Sequence, residues 1–184
     1  MFTVTFRHLF LALFLVPSAL AAAPAYAAPP LPEIVQRDQP GLAVAGETPF
    51  RFLGLKVYDL RLWAPDGVYS NSPAQPFALE LVYNMNFKGT DIASRSVDEM
   101  RAQGRGDEAK LARWGEEMAR IFPDIKPGDT LIGVSVPGKE ARFYTRERFI
   151  AAVPDAEFSA AFFGIWLGEK TTEPAMRKRL LERH

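Results

Sequence analysis

Apolar and polar residues alternate most regularly over FALELVYNMNFK, residues 77–88. Phe77, Leu79, Leu81, Tyr83, Met85 and Phe87 share one face, and Ala78, Glu80, Val82, Asn84, Asn86 and Lys88 share the other. A period of two over this length predicts a half-buried strand. The period changes after Gly89. Ile92, Ala93, Ser96, Val97 and Met100 form a helical stripe with Thr90 or Asp91 as cap, broken by Gly104 and Gly106. Asp107 caps a second helix, striped by Leu111, Trp114, Met118, Ile121 and Phe122 and stopped by Pro123. Residues 131–136 and 141–145 flank Pro137-Gly138, which predicts a hairpin whose glycine supplies a positive φ. Asp155 opens EFSAAFFGIWL, apolar nearly all round and so a buried helix, with Gly164 open to a close approach. Glu173-Pro174 starts a last amphipathic helix with Met176 and Leu180 inside.

Nearer the start, residues 41–44 predict a short strand, and FRFLGLKVYDLRLW (50–63) a longer strand or strand pair. Its odd positions Leu53, Leu55 and Val57 are apolar first, and then the even positions Tyr58, Leu60 and Leu62 take over. Such a change of phase predicts a bulge, or a strand buried on both faces. The same stretch carries Arg51, Lys56, Tyr58, Asp59 and Arg61. These polar heads either line a ligand cavity or decorate the solvent face and ends of an ordinary strand. The element order is strands, two helices, a hairpin and two helices. It predicts an α+β fold, an antiparallel sheet with helices packed on one face.

Residues 1–27 add a different kind of segment. Arg7 and His8 precede an apolar run over 9–20, and Ala25-Tyr26-Ala27 offers small residues to a peptidase. This predicts a cleaved secretory signal and a periplasmic protein. Residues 28–40 are Pro-rich and read as an extended lead-in to one domain over 41–184. The chain has no cysteine, which excludes a disulfide and a lipid-bearing thiol. Its histidines are His8 and His184, so the body of the chain lacks a Ser-His-Asp triad, a cysteine nucleophile and a Cys/His zinc site. No metal and no cofactor are expected. Neither phosphate-loop nor dinucleotide glycine patterns occur, and the formal net charge of zero offers nothing to a nucleic acid.

The ordered segments FLGLKVYDLRLW, FALELVYNMNFKGTDIASRSVDEMR, GDTLIGVSVPGKEARFY and FSAAFFGIWLGEKTTEPAMRKRLL resemble the chalcone isomerase-like family, in its exported bacterial branch. The resemblance implies an open-faced β-sandwich, a long antiparallel sheet with a helical layer against one face. It also implies one of two activities: closure of a chalcone to a flavanone, or binding of fatty acids in the same cleft. The plant enzymes of this family use an Arg, a strand Thr, a Tyr, an Asn and a late Ser or Thr. In this chain the strand Thr is matched by Leu53, the Tyr by Gly89 and the Asn by Ser96 or Arg95. The late hydroxyl is matched by Ala161 or Ile165, and Arg51 is the nearest arginine. The fold therefore carries over further than the activity.

The expected function is binding of a small amphipathic ligand, a fatty or phenolic acid, without catalysis. The alternatives are an isomerase acting on a phenolic or cyclic substrate, and an envelope scaffold. The expected binding residues are Arg51 at the cleft mouth, Leu53 behind it, and the hydroxyls of Tyr58, Tyr83 and Tyr144.

Overall fold

The structure is a computed structural model of the chain, and it describes residues 29–182. The signal segment expected over residues 1–27 lies outside the described residues. The compact unit begins at Leu31 rather than at the boundary expected at Gly41. The expected extended lead-in contains a short helix, α1 (Glu33–Asp38). Burial drives it: Leu31 and Val35 are both withdrawn from solvent against the sheet.

Six antiparallel strands pair in chain order: β1 (Leu42–Phe52), β2 (Leu55–Pro65), β3 (Phe77–Tyr83), β4 (Thr130–Val136), β5 (Glu140–Tyr144) and β6 (Phe149–Val153). Between β3 and β4 the chain makes α2 (Gly89–Ala102) and α3 (Glu108–Ile121), and after β6 it makes α4 (Ala156–Leu167) and α5 (Pro174–Leu181). This is the expected α+β open sheet. One face, the helix face, presents Leu60, Leu62, Leu79, Leu81, Leu131 and Phe143 to α2–α5. The outer face presents Trp63, Ala78, Ile132, Val134 and Tyr144 toward α1.

Several local expectations change. FRFLGLKVYDLRLW is not one strand. Leu53 and Gly54 both have positive φ (48° and 83°) and form the turn between β1 and β2. The first strand is correspondingly long, with Pro49 accommodated because β1 is a sheet edge. The expected bulge exists at Val57: Phe50 pairs with Tyr58 and Arg51 with Lys56, which leaves Val57 without a partner. β3 stops at Tyr83, and Phe87 makes an isolated bridge to Ile125. β3 is also buried on both faces, since Ala78 and Glu80 are as inaccessible as Leu79.

Asp107 and Asp155 cap α3 and α4 through their carboxylates, as expected. Lys88, not Thr90 or Asp91, is the cap residue of α2, and the side-chain acceptor comes from elsewhere. Asp124 Oδ1 accepts from the Gly89 amide at 3.1 Å while its Oδ2 pairs with Lys88 Nζ at 2.7 Å. The closest approach of a helix to a glycine is at Gly46, not Gly164. A Cβ on Gly46 would lie 1.9 Å from the Leu180 carbonyl oxygen of α5, whereas one on Gly164 would meet nothing nearer than 3.7 Å.

Candidate functional site

The helix layer does not close fully on the sheet. A cavity of about 560 Å³ remains between them, walled by β1–β5 on one side and by α2, α4 and α5 on the other. The β1–β2 hairpin makes one end. The bulge at Val57 lets Leu55, Val57 and Tyr58 all reach the cavity, which strict alternation would forbid. Most of the wall is apolar: Phe50 from β1, Leu79 and Leu81 from β3, Phe162 and Ile165 from α4, and Met176 from α5.

Two tyrosines interrupt this wall. Their rings meet edge to face with centroids 5.8 Å apart. The Tyr58 hydroxyl oxygen accepts from Trp166 Nε1 at 3.0 Å. Tyr83 is only 4% exposed, and its hydroxyl has no hydrogen-bond partner among the described residues. Burial pushes both phenols well above the ordinary tyrosine range, and at Tyr58 the carboxylates of Glu173 and Glu99 add to it. Each therefore keeps its proton at physiological pH. They can donate hydrogen bonds to a ligand but cannot serve as phenolate bases.

The polar part of the lining comes from α2 and from the loop before α5. Arg95 Nη2 lies 2.5 Å from Glu99 Oε1, and Thr172 Oγ1 donates to Glu99 Oε2 at 2.6 Å. Both Glu99 oxygens are thus engaged. Asp91 and Glu173 add two more carboxylates to the lining, and Arg95 is its single cation among the described residues. No group of three or more His, Cys, Asp or Glu among the described residues is placed to hold a metal ion.

Of the five expected binding residues, the structure brings Tyr58 and Tyr83 together in the cavity. Arg51, Leu53 and Tyr144 are placed elsewhere. Arg51 is exposed on the hairpin, its Nη1 donating to the Gly54 carbonyl at 3.3 Å. Leu53 sits in the turn, 88% exposed. The turn explains both misplacements: these residues do not share one strand face with Leu55 and Val57, because the chain reverses between them. Tyr144 points to the outer face, where its hydroxyl donates to Asp38. Burial and that carboxylate together raise its pKa. Arg95 was not foreseen as a binding residue. Its signal was faint, an Arg four residues before a Glu, a spacing that commonly marks a surface pair.

The geometry can be set beside known proteins. A model of the chalcone isomerase-like family matches residues 49–182. The chain belongs to this family. A chalcone isomerase-like match of that length spans every strand and helix described above except α1 and the start of β1. An uncharacterised protein of Haemophilus influenzae is 28% identical over 125 residues, which is 68% of this chain and 60% of that protein. The chain thus spans about three fifths of that relative's length. Among solved structures, an Arabidopsis thaliana fatty-acid binding protein aligns with a TM-score of 0.58 at 13% identity, covering 77% of this chain and 87% of its own. At that identity the likeness is one of fold.

Proposed function

We propose that this chalcone isomerase-like domain binds a small amphipathic acid in the cavity, tail among the apolar walls and head at Arg95. The single observation that carries this reading is an apolar cavity of about 560 Å³ with a cation at its polar end. The tail supplies most of the affinity, since each buried CH₂ contributes about 0.8 kcal/mol. A charge-assisted hydrogen bond to the head adds roughly 1.5–3 kcal/mol. Arg95 has donors left after its contact with Glu99, and Tyr58 has a free proton beside it. Glu99, Asp91 and Glu173 raise the cost of a further negative charge, so the cavity favours long tails over strongly acidic heads. The fatty-acid binding protein of like fold is consistent with such a ligand.

Binding without catalysis is favoured by what stands at the positions matched to the plant enzymes. Leu53 is in a turn, Gly89 packs against the Phe122 carbonyl, and Ser96 spends its proton on the Ile92 carbonyl. Ala161 and Ile165 carry no hydroxyl. Of the matched positions only Arg95 offers a free donor to the cavity, and a hydroxylated chalcone should cyclise no faster with the protein than without it. Export by a signal cleaved after Ala27 is part of the same proposal, and N-terminal sequencing of envelope protein decides it.

The direct test is displacement of the neutral dye Nile red, in solution, by dodecanoic acid and by dodecanol. Both should displace it from the native protein. Arg95→Ala should weaken the acid by about tenfold or more, the loss of one charge-assisted contact, and leave the alcohol unchanged. Displacement by neither ligand would refute the cavity reading; an acid unaffected by Arg95→Ala would remove the head-group assignment.

A further inference from the structure

Two of the residues that miss the cavity, Arg51 and Leu53, belong to the tip of the β1–β2 hairpin. Phe52, Leu53 and Leu55 are 59%, 88% and 61% exposed at consecutive non-glycine positions. Leu53 bears two local costs. It is a large apolar side chain in water, and its φ of 48° lies in the left-handed region, which leucine adopts only under strain. A two-residue turn with both φ values positive is ordinarily served by Asn-Gly. Nothing within the described structure compensates a leucine there, because its side chain meets no core.

We propose that this tip seats on an anionic lipid surface. The segment from Pro49 to Asp59 contains two cations, Arg51 and Lys56, against one carboxylate, Asp59, which pairs with Lys56 at 2.7 Å and leaves the tip net positive through Arg51. Both cations stand at the base of the apolar tip, which is the arrangement an interface of acyl chains below phosphate head groups complements. The tip is also continuous with the cavity: Phe52 and Leu55 are exposed at the surface and line its wall at the same time, and Met85 beside them does likewise. Seating the tip therefore brings the cavity mouth against the acyl layer, and an apolar tail can pass between the two without crossing water. The docking stands on the hairpin alone. The passage of a tail rests on the cavity reading above, and dye displacement in solution, without vesicles, tests that reading separately.

The chain has no native cysteine, so one introduced thiol can be labelled uniquely. Leu53→Cys and Lys139→Cys, the latter in the exposed β4–β5 turn, would each carry an environment-sensitive fluorophore on the full chain. Vesicles containing phosphatidylglycerol should shift the emission at position 53 to the blue and leave position 139 unchanged. That contrast separates tip seating from tethering by the apolar run at residues 9–20. In unlabelled protein, Leu53→Glu should lower the vesicle-bound fraction at subsaturating lipid, its partition coefficient falling about tenfold or more for the loss of one buried leucine. Arg51→Gln should lower it about fivefold on anionic vesicles. Equal shifts at both labels, no shift at 53, or Leu53→Glu protein partitioning like the native chain would each overturn the proposal.

Discussion

The two faces of the sheet are built from the same strands and end up opposite in kind. On the helix face, β3 contributes Leu79, Leu81 and Tyr83, and the layer above them leaves a void. On the outer face the same strand contributes Glu80, which is fully buried and fully engaged. Its carboxylate receives Arg61 Nη1 at 2.9 Å, the Trp63 indole at 3.2 Å, and Arg146 on its other oxygen. Arg61 also reaches Glu47 at 3.3 Å. Nearby, Asp38 of α1 takes Arg142 and the Tyr144 hydroxyl. On the outer face these charged groups are spent on one another. The helix face keeps an unpartnered Tyr83 hydroxyl beside empty space. The buried polar network and the cavity wall thus lie on opposite sides of one strand, at adjacent residues.

Breaking the outer face should give the largest effect. Glu80→Ala removes the buried partner of Arg61, leaving it only the exposed Glu47, and should cost about 3–5 kcal/mol in chemical denaturation, while the folded fraction still binds Nile red. Loss of binding by that folded fraction would mean that the faces are coupled. Next, Leu81→Phe fills the void from the strand side. It should weaken dodecanoic acid by about tenfold, equivalent to losing one or two buried CH₂ groups, with the thermal midpoint moved by only a few degrees. A large loss of stability with intact affinity would reverse the division of labour.

The third prediction concerns acid. Burial opposes ionisation of Asp155, but the amides of Phe158 and Glu157, the Trp114 indole and Arg113 outweigh it and hold the carboxyl below its usual value. A depressed folded pKa means that its contribution is complete above the unfolded value, about 3.9, and is lost as pH falls through the folded value. Native protein should therefore lose stability below about pH 4. Asp155→Asn keeps a cap acceptor but loses the charge, so it should be weaker by about 0.3–1 kcal/mol at neutral pH, with a shallower acid limb. An acid limb identical to that of the native protein would remove Asp155 from the account. The smallest effect belongs to Tyr83→Phe. Its hydroxyl has no partner to lose, so stability should stay within about 0.5 kcal/mol while affinity for an acid or alcohol head falls slightly. A destabilisation above that would reveal an unseen partner.

What the sequence made legible follows from how locally each signal is held. The caps at Asp107 and Asp155 and the turn at Pro137-Gly138 are complete within a few residues, and all three stand where expected. β1 was shortened because Gly46 and Pro49 interrupt its apolar pattern, and only its edge position makes them tolerable. β6 is short and half exposed, so FIAAV carries little periodicity. The cap of α2 was unreadable because its acceptor, Asp124, lies far along the chain. In the candidate site, Tyr58 and Tyr83 were legible as aromatic residues in apolar rows. Arg51 and Leu53 misled because a two-residue turn built on leucine does not look like a turn. The place of Arg95 in the lining was hidden because the Glu99 it pairs with meets Thr172 across two elements.

The contact of Gly46 with the Leu180 carbonyl sets an order of events during synthesis. α5 packs on β1 and supplies Met176 to the cavity wall, whereas Phe50 and Phe52 come from β1 itself. The first strand of the sheet and the last described helix must both be present before the cavity has walls. A nascent chain can pair β1 through β6 and cover part of the sheet with α2, α3 and α4, yet the β1 end of the helix face stays uncovered until α5 leaves the ribosome. Under the proposed binding role, ligand capture would require a chain that includes α5, and a chain released before α5 should retain less of the ligand than the full chain.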